Sequence, residues 1–344
     1  MKYIGNKTRL LNFIAGAAKE SKIPFRGVFC DIFGGTGSVG KYFKENGFKI
    51  ISNDIMAYSY IIQYVSVYLN QMPSFEKISK DGVEGVIKFL NDMPPKKGYV
   101  FENYAPSGIY GRKYFSDGNA KKIDAIRDQI EAWYKTKLLS VEEYYVLVAS
   151  LIDAADFVAN IAGTYGAYLK IWRSMALKPL KLKVPQILTG KTKNEIYQED
   201  ANQLIKKVHC DVLYVDPPYN ERQYAANFHV LESLAIWDKA PLLGKTGQRD
   251  YSHKKSKYCL KREAKEVFQQ LIEDAQTNHI IVSYNNEGII PKEELLQILQ
   301  QKGEVAEYAL DYRRFRTERD NPRRQYKKCN DKVVEYLYIV SCKK

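Results

Sequence analysis

Cysteine is scarce and scattered in this sequence. Cys30, Cys210, Cys259, Cys329 and Cys342 make an odd count at wide spacings, with no Cys-x-x-Cys pair. That pattern argues against a disulfide framework or a zinc ribbon and makes a reducing cytoplasm the expected setting. Histidine is scarcer still. His209, His229, His253 and His279 never fall at metal-ligand spacing with cysteine or carboxylate, so no metal is expected. The longest apolar stretch, around Val146 to Ala167, is broken by Asp153 and Asp156, and the first seven residues hold no apolar signal core. No membrane span is therefore expected. Acidic residues are outnumbered, 40 against 53 lysines and arginines, which leaves a formal net charge of +13. Such an excess favours a polyanionic partner, nucleic acid first.

What is abundant is tyrosine, 27 among 344 residues, a side chain that stacks well on bases. Hydrophobic residues make up 45% of the chain, enough for a sizeable core, and the length suits two domains or one with a large insertion. Gly27 to Ile32 reads as a buried strand, the stretch from Ser38 to Asn46 as a helix closed by Gly47, and Phe48 to Ser52 as a second strand. This βαβ grammar implies a parallel sheet. From there the pattern turns helical. Lys121 to Lys135 carries Ile123, Ile126, Ile130 and Trp133 on one face, and Ser140 with Glu143 spells a capping box for a helix expected to stop at Gly163. A lysine-rich stretch with Pro179, Pro185 and Gly190 follows as a basic linker or hairpin. Strands are then predicted at 212–215, 280–283, 305–312 and 333–340, with helices at 262–275 and 291–302. The expected arrangement is an α/β domain, 1–60 and 193–344, interrupted by a mostly helical insertion, 61–192.

Two turns carry chemistry. Asp31-Ile32-Phe33-Gly34-Gly35-Thr36-Gly37 follows a strand and opens a helix, where glycines let a ligand approach the backbone. Asp54 ends the next strand, the distance at which a carboxylate holds ribose hydroxyls. Alone, these features fit either a nucleoside site or an ordinary tight turn. The turn ends in no Gly-Lys-Ser/Thr and lacks the third glycine of a dinucleotide fingerprint, so a nucleoside without pyrophosphate fits better. Asp216-Pro217-Pro218-Tyr219 is more specific. Two successive prolines remove two amide donors, leaving a carboxylate, a proline carbonyl and an aromatic face. That set accepts hydrogen bonds from an amino group and offers a platform to a flat ring. His229, downstream, is placed either to line a pocket or to touch DNA. Two basic stretches are expected to leave the sheet beside the site. One carries Arg249, Lys254 and Lys255, and the other Arg313, Arg314, Arg316, Arg323 and Arg324; both are candidate phosphate contacts.

On these residues the sequence resembles the S-adenosylmethionine-dependent, amino-directed DNA methyltransferases, and among them the Dam-like alpha group that modifies adenine. Asp31 to Gly37 is similar to that family's cofactor loop, Asp216 to Tyr219 to its catalytic motif, and Tyr3-Ile4-Gly5-Asn6-Lys7 to its N-terminal motif, with Asn6 where glycine is usual. The resemblance implies a Rossmann-like class I methyltransferase sheet, mostly parallel with an antiparallel last strand, plus an inserted target-recognition domain. It implies that Tyr3 and Lys7 meet the methionine end of S-adenosylmethionine and that Asp31, Phe33, Gly35 and Gly37 form its loop. Asp54 would hold the ribose, Asp200 the cofactor's adenine, and Asp216 both cofactor and target base. Catalysis would rest on Asp216, Pro217, Pro218 and Tyr219, with the base flipped out of double-stranded DNA. A restriction endonuclease is the implied functional pair. The rival readings are methylation of RNA adenine or of the cytosine amino group, and a non-catalytic DNA-binding module.

Overall fold

A computed structural model describes residues 7–313 and 332–343. Seven strands form one sheet: β1 (Val28–Asp31), β2 (Lys49–Asn53), β3 (Glu195–Tyr197), β4 (His209–Val215), β5 (Gln276–Asn285), β6 (Gly303–Arg313) and β7 (Lys332–Cys342). Their order is β3-β2-β1-β4-β5-β7-β6. The first five run parallel, and β7 lies antiparallel between β5 and β6. The mostly parallel sheet with an antiparallel last strand is the one expected. The reason is visible in the strands. Alternate residues of β1 point to opposite faces. Phe29 stacks on Phe43 with ring centroids 3.9 Å apart, while Cys30 joins the core under helices Ala264–Asp274 and Lys292–Lys302 with Leu213, Ile280, Phe268 and Leu299. β3 was not foreseen. It is three half-buried residues on the sheet's edge, too short for a period-2 pattern to show.

The chain divides into two compact units. One, built from Asn6–Ile55, Thr192–Tyr224 and Lys255–Lys344, contains the sheet; the other contains Met56–Lys191 and Ala225–Lys254. The boundaries differ from those expected, because 56–60 and 225–254 belong with the helices. Within that unit, Glu232 on helix His229–Ile236 accepts hydrogen bonds from the backbone amides of Ala57 and Tyr58. Arg127, fully buried, donates to the carbonyls of Leu234 and Ala235, to Glu131 and to the Tyr144 hydroxyl. The Ser140–Glu143 capping box forms in both directions, but its helix ends at Phe157, short of Gly163.

A second buried arginine sets a stability prediction. Arg112 donates to the carbonyls of Asn103, Gly244 and Lys245, and a Cβ at Gly247 would stand 2.8 Å from its guanidinium. Gly247 also has φ +70°, a conformation side-chain-bearing residues avoid. Gly247→Ala is expected to destabilise the protein by about 1–3 kcal/mol, read as a lower urea midpoint. An unchanged midpoint would show that Arg112 gives way freely.

Candidate active site

The sheet order reverses between β1 and β4, and crevices at such a switch point, beyond the carboxyl ends of the strands, are where open α/β sheets bind ligands. Both motifs of the sequence end there. Asp31, the last residue of β1, lies in register with Tyr214 of β4, and β4 runs directly into Asp216-Pro217-Pro218-Tyr219.

The glycine turn is shaped by its backbone. Gly35 and Gly37 sit at φ +54° and +74°, and Gly37 precedes the first turn of helix Ser38–Glu45. The Gly35 amide donates to Asp54, 3.0 Å away, and the Gly34 amide to the carbonyl of Asn53. Asn53 is a residue the sequence reading missed. Wholly buried at the end of β2, it donates to the carbonyls of Ile32 and Glu199 and accepts from the Glu199 amide. One side chain thus ties the glycine turn to the loop before Asp200. Asp200 itself is exposed and caps a short helix by accepting from the Gln203 amide. Phe33 rests edge-on against Tyr258.

Lys7, expected at the methionine end of the cofactor, is buried beside Asp216. It is 4% exposed, and its ammonium lies 3.1 Å from Asp216 and 3.8 Å from Glu335, over the Tyr219 ring at 5.6 Å. Burial alone would lower its pKa, but Asp216, Tyr219, Tyr214 and Glu335 together hold it well above the ordinary value. Asp216 is pushed up to about 6 by burial, against the pull of Lys7, and Glu335 adds to the rise. It is therefore ionised at neutral pH. Asp31 rises to about 8, chiefly through burial and the Asp216 charge, although the Gly40 amide donates to it. Its Oδ1 is buried with no hydrogen-bond partner. The Tyr219 phenol, at about 12 through burial, stays protonated, and its ring packs edge-on to Tyr284.

Asp216 and Glu335 thus flank Lys7, and Asp31 lies within the field of Asp216 and of the half-buried Asp54. An excess of buried carboxylate suits a ligand that brings positive charge, and Asp54 at the end of β2 suits ribose hydroxyls. Those features fit S-adenosylmethionine, which carries a sulfonium, an ammonium and a ribose.

The expected phosphate contacts fare differently. Arg249 is 8% exposed, and both its terminal nitrogens pair with Asp238, so it is not free for DNA as expected. Lys254 pairs with buried Glu232 at 2.6 Å, while Lys255 is exposed. Arg313 ends β6; Tyr3, Arg314, Arg316, Arg323 and Arg324 lie outside the described residues. His229, expected either to line a pocket or to touch DNA, lies away from the surface. It is fully buried, with Nε2 at the Tyr165 carbonyl, and burial lowers its pKa to about 4, so it is neutral. His209 and His279 lie within β4 and β5.

Known proteins are similar to this chain in sequence. The chain is 41% identical to type II methyltransferase M.NlaIII of Neisseria lactamica, over 99% of both chains. It is 38% identical to type II methyltransferase M.FokI of Planomicrobium okeanokoites over 99% of its own length, and 37% identical to the modification methylase StsI of Streptococcus sanguinis over 100%. It spans 52% of each of those two longer proteins. The family model for D12 class N6 adenine-specific DNA methyltransferases matches residues 3–298, and with most of the chain inside that match, this protein belongs to that family.

Proposed function

We propose that this chain moves the methyl group of S-adenosylmethionine to the exocyclic amino group of adenine at a short, specific sequence in double-stranded DNA. We also propose that it serves as the modification enzyme of a type II restriction-modification system, paired with an endonuclease of the same specificity. The observation that carries the first reading is the Asp216-Pro217-Pro218-Tyr219 turn at the switch point, beside the glycine turn and its carboxylates. The second leans on the similarity to M.NlaIII, a type II methyltransferase, and to StsI, a modification methylase.

The amino nitrogen of adenine is a weak nucleophile because its lone pair is delocalised into the ring. Asp216 and the Pro217 carbonyl accept hydrogen bonds from its two hydrogens, favour a tetrahedral nitrogen and return the lone pair to it; as the N–C bond would form and the S–C bond break, the surplus amine proton would pass to Asp216 and on to solvent. Tyr219 supplies a ring face that holds the flipped base. Asp31, Asp54, Gly35 and Gly37 hold the cofactor, with Asp200 at its adenine. Bound S-adenosylmethionine supplies the electrophilic methyl; these residues supply orientation and fixed charge, which provide most of the rate in such transfers. The helical unit reads the target sequence, while Lys255 and the arginines at 313–324 meet phosphate.

The test is transfer of a tritiated methyl group to duplex DNA, single-stranded DNA and RNA, followed by digestion to nucleosides. Label in N6-methyladenine from duplex DNA is expected. Label in RNA alone, or in the cytosine amino group, would replace this reading.

A further inference from the structure

Glu335 has no part in the chemistry above, yet it lies beside the residue that does. It stands on β7 opposite Asn285 of β5. Its side chain is 9% exposed, and its Oε2 is buried with no hydrogen-bond partner, 3.8 Å from the Lys7 ammonium. An ionised carboxylate held out of water needs a counter-charge, and the nearby lysine is already paired with Asp216 at 3.1 Å. Two carboxylates therefore share one ammonium. Resting on the function proposed above, we infer that Glu335 is a positioning residue for methyl transfer: it gives Lys7 a second carboxylate, so that Asp216 can release the ammonium and accept the amino group of the target base.

The argument is one of competition. With Asp216 as its only partner, Lys7 would close on that carboxylate and occupy the lone pair that the incoming amine needs. Moving an ammonium off a buried carboxylate into a site without charge is costly. Moving it a short way toward Glu335 keeps it paired throughout, so the exchange at Asp216 becomes nearly balanced. The charged or titratable groups facing this pair are Lys7 itself, Asp31 at the end of β1, Tyr214 of β4, Tyr219, Tyr224, and Glu287 after β5. Of these Lys7 alone is cationic.

Glu335→Gln keeps the shape and removes the charge. In the full-length protein, kcat is expected to fall roughly tenfold to a hundredfold, the scale of a misplaced reacting group, with DNA affinity unchanged. The acid limb of the kcat/KM profile should move below its wild-type position near pH 6, since the Glu335 charge helps to hold Asp216 up. Glu335→Asp, which restores the charge, should return the limb toward wild type. A packing role would lower stability without moving the limb. In a Lys7→Met background Glu335→Gln should lower kcat no further, because Glu335 acts through Lys7. A wild-type rate and limb in Glu335→Gln, or losses that simply add in the double variant, would overturn the inference. Should wild type transfer nothing to DNA, the function reading fails separately. The Asp216 carboxyl titration, followed by carbon NMR with and without Glu335→Gln, still decides whether the two carboxylates share Lys7.

Discussion

Asp216→Asn is expected to lower kcat by about a hundredfold to a thousandfold, the usual cost of removing one fixed electrostatic group from a transfer site. The amide keeps the shape but loses the charge and turns a donor toward the site. The fold should survive, because the wild-type carboxylate is a burden on it. Its folded pKa is about 6, above the ordinary carboxylate value of 3.8. Between those values the native state binds more protons than the unfolded chain, so stability falls as pH rises from about 4 to 6. The neutral amide escapes that loss but leaves the buried Lys7 with Glu335 as its counter-charge, so the thermal midpoint of Asp216→Asn at pH 7 is expected near wild type. Single-turnover methyl transfer and a melting curve measure the two effects together. A variant that is inactive because it is unfolded would place Asp216 among structural residues; a variant with wild-type turnover would remove it from the chemistry.

Lys7→Met should act in the opposite sense on pH. It leaves Asp216 and Glu335 facing one another in a buried site without their cation. Removing one partner of a buried pair costs about 3–5 kcal/mol, and the loss should appear at high pH, where Asp216 is ionised. As pH falls, protonation of Asp216 relieves it, and because Lys7 no longer pulls the Asp216 pKa down the relief begins above pH 6. The acid limb of kcat/KM should rise above 6, because the lysine that pulls the Asp216 pKa down is gone. Opposite displacements of the limb in Lys7→Met and Glu335→Gln would be the signature of one ammonium held between two carboxylates. A Lys7→Met limb that stays at wild-type pH, with normal stability at pH 8, would mean that Lys7 does not govern Asp216.

The local features of this protein were legible in its sequence. A strand, a glycine turn and a helix within twenty residues declare a βαβ unit, and the capping box at Ser140 declares a helix start, because each is set by neighbours along the chain. Asp216-Pro217-Pro218-Tyr219 marked the candidate active site for the same reason: its acceptors and its ring are contiguous. The tertiary structure decided what contiguity cannot. The β3 edge strand exists because β2 offers it a partner, not because three residues show a pattern. Arg249 read as a surface cation until folding brought Asp238 against it, and His229 read as accessible until the Tyr165 carbonyl enclosed it. Lys7 and Glu335 come from opposite ends of the chain, and nothing near either one signals the other. Charge pairing depends on distance through space and on the water removed, and only the packed sheet fixes both.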